Sequence, residues 1–342
     1  MSGGRLVAHL EGGAVNLPPV PVSARLSARV HVALGMNPGP FSLRGTNTYI
    51  VGTGPRRILI DTGDADFVSE YIPVLRAALL EAGASGIEQI VLTHWHRDHI
   101  GGVKAVLGEF GEDIPVRKFQ PEEGAEVVWA QASSEGAVSA EASLAGCTAL
   151  RPLADGEVLA TQGATLRCLH TPGHANDHVV LVLQEEGSMF TGDNVLRTGT
   201  PVFRDLPAYL RSLQRMQDEE PGRLYTSHGP VVEDGAALIA EYIGHRRQRV
   251  QQVLDTLAAG DRPWATAEEI TRRIYAWYPE SLIGPATGNT VQALRVLQQQ
   301  GAVDCELGAG GSSVRPAANA HPSAPLASLA TAKWRAVGVA RL

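Results

Sequence analysis

The stretch that decides the fold is Thr93-His94-Trp95-His96-Arg97-Asp98-His99-Ile100-Gly101-Gly102. The apolar run from Ile87 to Thr93 predicts a buried strand, so the histidines lie where that strand ends. Side chains at alternate positions of an extended segment point the same way, so His94 and His96 can bind one cation. The chain then bends into a helix, which turns Asp98 and His99 toward a neighbouring point. The stretch therefore predicts two adjacent metal ions, and imidazoles with a carboxylate and no thiolate suit Zn, Mn or Fe.

Three more candidate ligands follow, each just past a predicted strand, in Thr171-Pro172-Gly173-His174, Thr191-Gly192-Asp193-Asn194 and Ser227-His228-Gly229-Pro230. The seven candidates divide into two sets and a bridge: His94, His96 and His174 for one metal, Asp98, His99 and His228 for the other, and Asp193 between them. Two metals about 3.5–4 Å apart activate a bridging hydroxide and polarise a carbonyl or phosphoryl oxygen, so no nucleophilic Ser or Cys is needed. We expect Asp98 to be catalytic, because it can orient the hydroxide and pass its proton to the leaving group.

The composition excludes several classes of protein. A chain of 342 residues with 44% hydrophobic content can form one large domain and a smaller one, and it has no apolar run long enough for a membrane span. The scattered Cys147, Cys168 and Cys305 argue against a disulfide framework and against a cysteine zinc site. A dedicated duplex-binding module is usually basic, whereas this chain has a net charge of −7. Any nucleic-acid contact must therefore come from a local patch.

The patterning along the chain predicts four regions. They are a flexible N-terminus over 1–21, a catalytic domain over 22–235, a helical domain over 236–305, and a flexible tail over 306–342 with a short terminal motif. In the helical domain, Thr266 and Glu269 predict a capping box, and three short helices predict a winged-helix-like fold. Residues 120–150 and 306–331 are rich in small and polar residues and predict insertions.

The chain resembles the metallo-β-lactamase-fold hydrolases, whose pattern of H-x-H-x-D-H followed by His, Asp and His is filled here at all seven positions. The similarity narrows to the beta-lactamase-like-protein-2 group of endoribonucleases. It rests on Asn37-Pro38-Gly39-Pro40, Gly45-Thr46-Asn47-Thr48-Tyr49, the stretch 51–63, the stretch 93–99, Thr171-Pro172-Gly173-His174, His245-Arg246 and Lys333-Trp334-Arg335. This resemblance implies an α/β four-layer αββα sandwich with a small C-terminal helical domain. It also implies cleavage of single-stranded RNA and a location in the mitochondrial matrix. We expect two divalent metal ions, with zinc first among them.

A thioester hydrolase is the main alternative, because fungal polyketide-associated members of the same fold are similar in these motifs. Attack at a carbonyl needs the same hydroxide, so the seven ligands do not separate an RNA substrate from an acyl-carrier or small thioester. A metal-bound scaffold without turnover is a third hypothesis, but it would be favoured by a missing ligand and none is missing. Ser227 stands where the family usually has glycine, and this changes the backbone freedom beside His228 but not the ligand itself.

Three further residues are candidates for roles around the metals. Asp61 either accepts a hydrogen bond from a ligand histidine or forms a turn at a strand end. His178 either faces the leaving group of the substrate or is a buried structural histidine. Asn47 either contacts the substrate or stabilises a turn. The basic run from His245 to Arg249 is either a phosphate contact or a solvated helix face.

Overall fold

The structure, a computed structural model, describes residues 20–39, 41–121, 143–198, 201–260, 263–306 and 326–337. The predicted flexible N-terminus and most of both predicted insertions lie outside these residues. The chain forms two compact units, Met1–Arg204 with Ser212–Ile239 and Asp205–Arg211 with Ala240–Leu342. Among the described residues, no helix has the length and apolar character needed to cross a lipid bilayer.

The first unit contains a seven-stranded sheet whose strands follow one another in chain order. Its strands are β1 (Ser23–Arg25), β2 (Val30–Leu34), β3 (Asn47–Val51), β4 (Arg56–Ile60), β5 (Gly86–Leu92), β6 (Val116–Phe119) and β7 (Leu150–Leu153). The pairs from β1 to β4 are antiparallel, and those from β4 to β7 are parallel. Parallel neighbours need a crossover, which α1 (Val68–Glu81) supplies between β4 and β5 and α3 (Val103–Phe110) supplies between β5 and β6.

A second sheet of five strands has the order β12-β11-β10-β9-β8. These strands are β8 (Val158–Thr161), β9 (Ala164–His170), β10 (Val179–Leu183), β11 (Ser188–Phe190) and β12 (Arg223–Tyr225). All pairs are antiparallel except β11 with β12, which are parallel. The apolar runs in the sequence predict strands over 165–169, 179–183, 188–191 and 223–226, and the observed bounds agree with them to within one residue.

Alternating side chains of the first sheet enter two different cores. Ile50 and Leu59 pack with residues of α1 and α3, whereas Tyr49 and Ile58 pack against the second sheet. The opposite face of the second sheet is covered too, because outward side chains such as Val180 are buried. The first unit is therefore the predicted four-layer αββα sandwich, in which the two sheets pack face to face.

The second unit combines helices with a small sheet of order β13-β15-β14. Its strands are β13 (Ala265–Thr266), β14 (Val303–Glu306) and β15 (Lys333–Ala336). Helices α4 (Leu206–Gln217) and α5 (Gly235–Ala258) each have residues in both units. The second unit alone contains α6 (Ala267–Ile274), α7 (Glu280–Gln299) and α8 (Leu326–Thr331). The predicted capping box is present at the start of α6, where Thr266 and Glu269 bond reciprocally.

This unit adds detail to the expected winged-helix-like domain, because a small sheet accompanies its helices. Within the predicted tail, residues 326–331 form α8, and the short terminal motif lies in β15 (Lys333–Ala336). β15 is the central strand, and its Trp334 is fully buried opposite Ala265 and Cys305. A strand of four residues has little periodicity of its own, so the small and polar residues before it dominated the prediction.

Candidate metal centre

The ends of four strands position the seven predicted ligands. His94 and His96 follow β5, and the one-turn helix α2 (Arg97–Ile100) begins directly after His96 and carries Asp98 and His99. The remaining ligands, His174, Asp193 and His228, lie in the loops that follow β9, β11 and β12. The loop before Asp193 needs glycine, because Gly192 has φ +49° and an added Cβ would lie 2.5 Å from His178 Nε2.

The first ligand group consists of His94, His96, His174 and Asp193, whose ligand atoms all lie within 4.8 Å of one another. His96 Nδ1 is 2.8 Å from His94 Nε2 and 2.9 Å from His174 Nε2, and the two Nε2 atoms are 3.2 Å apart. Asp193 Oδ2 is 3.5 Å from His174 Nε2. Tetrahedral Zn–N bonds of about 2.1 Å place ligand nitrogens roughly 3.4 Å apart, so these spacings are close to those of a metal site.

The second ligand group consists of Asp98, His99 and His228. Asp98 Oδ2 is 3.4 Å from both His99 Nε2 and His228 Nε2. Asp193 connects the two groups, because its other oxygen, Oδ1, lies 3.5 Å from His99 Nε2 and 3.3 Å from His228 Nε2. The structure thus brings all seven predicted residues together in the predicted arrangement, with Asp193 between the groups.

Divalent metal ions fit this donor set. His174 Nδ1 lies 2.6 Å from the Val202 carbonyl, which only accepts, so Nδ1 carries the hydrogen and Nε2 offers its lone pair to the group. His99 Nε2 and Asp193 Oδ1 are buried and have no hydrogen-bond partner among the residues that the structure describes. Buried polar atoms are normally paired, and a cation between these atoms would satisfy them. Identification of the metal as zinc remains a prediction.

The imidazoles of the first group are held neutral. Burial, reinforced by the neighbouring imidazoles, keeps the pKa of His94 well below its ordinary value. Burial likewise lowers the pKa of His96 to about 3 and lowers the pKa of His174. Neutral imidazole is the form that binds a metal, so this group is ready for binding near neutral pH.

The second group has the opposite electrostatics. Burial acts to lower the pKa of His99, but the carboxylates of Asp98, Asp193 and Asp61 outweigh it and hold that pKa well above its ordinary value. Burial also acts to lower the pKa of His228, which the contact with Asp193 and Asp98 nevertheless raises to about 10. Despite burial, His99 and His228 keep the pKa of Asp98 below its usual range. Without a metal, these imidazoles are therefore protonated near neutral pH.

Asp61 orients His99 from behind. Its Oδ2 lies 2.8 Å from His99 Nδ1 and its Oδ1 accepts the Thr93 backbone N–H at 2.8 Å. A carboxylate that accepts from Nδ1–H leaves Nε2 free for a metal. Thr93, which the sequence analysis did not single out, extends this contact, because its hydroxyl lies 2.9 Å from Asp61 Oδ2 and 3.0 Å from His94 Nδ1. Its position directly before His94 is the feature of the sequence that could have indicated this role.

The other two candidates contact protein groups on the loops that carry ligands. His178 is fully buried, with Nε2 3.1 Å from the Asp193 backbone N and Nδ1 3.0 Å from Thr171 Oγ1. It therefore supports the Asp193 loop and leaves no ring nitrogen for a leaving group. Asn47 is buried and donates to the carbonyls of Thr226 and Gly229, on either side of His228.

The basic run 245–249 is not a uniformly solvated face. Arg246 is buried, and its guanidinium lies 5.9 Å from the centre of the Tyr209 ring. Arg249 donates to Gln252 at 2.8 Å, whereas Arg247 is exposed. A solvated helix face, which the sequence analysis offered as the alternative to a phosphate contact, therefore describes Arg247 but not Arg246.

The chain matches models of two known families. Residues 42–228 match the metallo-beta-lactamase superfamily, and residues 266–308 match the beta-lactamase associated winged helix domain. A beta-lactamase-like protein 2 homolog of Drosophila melanogaster is 39% identical over 284 residues, which cover 82% of this chain and 92% of that protein. An atrochrysone carboxyl ACP thioesterase of Aspergillus chevalieri is 37% identical over 283 residues, which cover 80% of this chain and 82% of that protein.

The crystal structure of a metallo-beta-lactamase family protein from Thermus thermophilus is similar with a TM-score of 0.58 and 25% identity. The similarity covers 84% of this chain and 98% of that one. The first family match covers most of the first unit, and the second covers helices α6 and α7 with strand β14 of the second unit. The chain is therefore a metallo-β-lactamase-fold hydrolase of the metallo-β-lactamase superfamily, with a C-terminal β-lactamase-associated winged helix domain.

Proposed function

We propose that the protein is a metal-dependent endoribonuclease that cleaves single-stranded RNA by attack of water on the phosphodiester. The observation that carries the hydrolytic part is the pair of ligand groups joined by Asp193, which contacts both through its two oxygens. Metal ions held in these groups would lower the pKa of water and polarise the phosphoryl oxygen. No serine or cysteine nucleophile is required.

Asp98 is the residue best placed to move the proton. Its side chain is 25% exposed, compared with 13% for Asp193, so it is the ligand carboxylate that water and substrate reach more easily. An ionised carboxylate at that place accepts a proton from the attacking water and returns it to the leaving oxygen. Asp193, which is more enclosed, keeps the two groups together instead.

The distribution of charge supports a polyanionic substrate. Residues 205–211 and 240–342, the second unit, contain 12 basic and 9 acidic side chains, whereas the remainder contains 17 and 27. The overall charge of −7 therefore comes from the first unit, and the second is basic. A unit with a net positive charge attracts phosphates, and this supports the proposed RNA substrate.

A thioester hydrolase is the second candidate, and the relatives named atrochrysone carboxyl ACP thioesterases favour it. Two exposed apolar side chains lie on loops that contact the ligands, Phe41 at 82% exposure and Val202 at 59%. A phenyl ring at such a place stacks on a nucleobase and packs equally well on an acyl chain. Substrate assays must separate the two activities.

The test incubates purified protein with end-labelled single-stranded RNA and, separately, with an acyl-carrier thioester. The matched control is the Asp98→Ala/His99→Ala double variant, checked for folding by circular dichroism. We expect metal-dependent RNA cleavage by the wild type that a chelator stops and the variant lacks. Thioester turnover by the wild type without RNA cleavage would establish the second candidate instead.

A further inference from the structure

A buried hydroxyl contacts the proposed catalytic carboxylate. Thr46 is fully buried in the loop before β3, and its Oγ1 lies 2.9 Å from Asp98 Oδ2. The same oxygen of Asp98 is 3.4 Å from the ring nitrogens of His99 and His228, so the threonine contact is the shorter one. Nothing in the arrangement of the seven ligands by itself requires this threonine.

Asn37 fixes the direction of that hydrogen bond. Its Oδ1 accepts the Thr46 backbone N–H at 2.8 Å, and a backbone N–H can only donate, so the amide orientation is determined. The Asn37 Nδ2 group therefore faces Thr46 Oγ1, 3.0 Å away, and donates to it. Because the hydroxyl oxygen accepts from Asn37, its own hydrogen is free to point at Asp98.

The loop around Asn37 is built to hold this side chain. Ser42 Oγ donates to the Asn37 carbonyl at 2.5 Å, and the Gly35 N–H donates to the Thr46 carbonyl at 2.7 Å. A Cβ at Gly35 would lie 2.9 Å from Asn37 Oδ1, and one at Gly45 would lie 3.3 Å from it. Both glycines thus leave the space that the Asn37 amide occupies.

We propose that Asn37 and Thr46 are positioning residues that fix the Asp98 carboxylate within the second ligand group. The inference rests on the proposed metal-dependent function. A hydrogen bond to an ionised carboxylate is stronger and more directional than a neutral one, so it restricts rotation of that carboxylate. Residues that hold metal ligands in this way typically change metal affinity or activity by about 10–100-fold when they are replaced.

The experiment compares Thr46→Val, which keeps the side-chain shape but removes the hydroxyl, with Thr46→Ser, which keeps the hydroxyl. Zn²⁺ affinities of both ligand groups are measured by competition with a chromophoric chelator, alongside kcat and KM for RNA. We expect Thr46→Val to lower one of the two Zn²⁺ affinities, that of the group containing Asp98, and to lower kcat, each by about 10–100-fold. KM should change little, and Thr46→Ser should restore both quantities.

Thr48→Val is the matched control for loss of a buried threonine hydroxyl. Thr48 is also fully buried, and its hydroxyl contacts the Ala33 carbonyl and the Tyr71 hydroxyl, each at 2.8 Å. This variant loses hydrogen bonds that hold the fold but none that reaches a ligand. We expect a lower melting temperature with both Zn²⁺ affinities unchanged.

Asn37→Asp tests the direction of the hydrogen bond. An acceptor oxygen would replace Nδ2, so the Thr46 hydroxyl would donate to it and turn away from Asp98. We expect a loss of Zn²⁺ affinity comparable to that of Thr46→Val, although the Thr46 hydroxyl is still present. The positioning role would be overturned if folded Thr46→Val had the Zn²⁺ affinities of the wild type, or if Thr46→Ser showed the same loss. Neither result would contradict the proposed function. A wild type that binds none of Zn²⁺, Mn²⁺ and Fe²⁺ would overturn the proposed function together with the positioning role.

Discussion

The two ligand groups contain the same kinds of side chain in opposite electrostatic states. In the first group, burial among other imidazoles lowers the pKa of His94, His96 and His174. In the second, carboxylates raise the pKa of His99 and His228 although these rings are just as buried. Burial by itself disfavours a charged imidazole, so the difference comes from the number of carboxylates in contact.

This difference shows that one cluster of histidines can contain two candidate ligand groups whose imidazoles are in different protonation states. The first group would bind a cation without first losing protons, whereas the second would have to release them. Asp193 belongs to both environments, since Oδ2 faces the first group and Oδ1 the second. Its replacement should therefore affect both sites together.

The largest effect is expected for Asp193→Asn. The amide has no charge and cannot contact both groups as an anion, so we expect both groups to lose bound metal. We expect kcat to fall by more than about 100-fold, which exceeds the effect typical of residues that only hold ligands in place. Metal content by mass spectrometry and kcat measure the two effects. Asp113→Asn, on an exposed turn after α3, is the control and should match the wild type. Two metals retained by Asp193→Asn would contradict the bridging role.

Asp61→Asn should have a smaller effect that is confined to the second group. Asn tolerates the left-handed conformation that Asp61 adopts at φ 60°, so the backbone is preserved. The uncharged amide no longer attracts His99 Nδ1–H as strongly, and we expect about 10–100-fold weaker binding of one metal. Calorimetric titration with Zn²⁺ measures both sites. Equal weakening of both sites would show that Asp61 does not act through His99.

Proton release on metal binding should give the smallest measurable difference between the groups. Near neutral pH, well below the raised pKa of about 10 for His228, metal binding to the second group must displace protons from His228 and His99. Its affinity therefore rises with pH, by up to about tenfold per unit for each proton released. The first group should release none. Calorimetry in two buffers of different ionisation enthalpy counts the protons released. The number of protons released should be unchanged in His96→Ala and lower in His228→Ala.

Much of the centre could be predicted from the sequence because its ligands come from local patterns. Strand-end positions, the spacing of His94, His96, Asp98 and His99, and adjoining glycines identified all seven residues that the structure brings together. Thr46 and Asn37 could not be identified in this way. They act on Asp98 from more than fifty residues away in the chain, and only folding brings them into contact.

The fold divides similarly. The sequence by itself indicated the strands that end at the ligands and the position of each ligand, because periodicity and turn residues act over a few neighbours. Only the tertiary structure decided that Lys333–Ala336 is the central strand of the second unit's sheet, and which imidazoles are charged. Strand pairing and pKa values depend on groups distant in sequence, so neither is written in any one stretch of the chain.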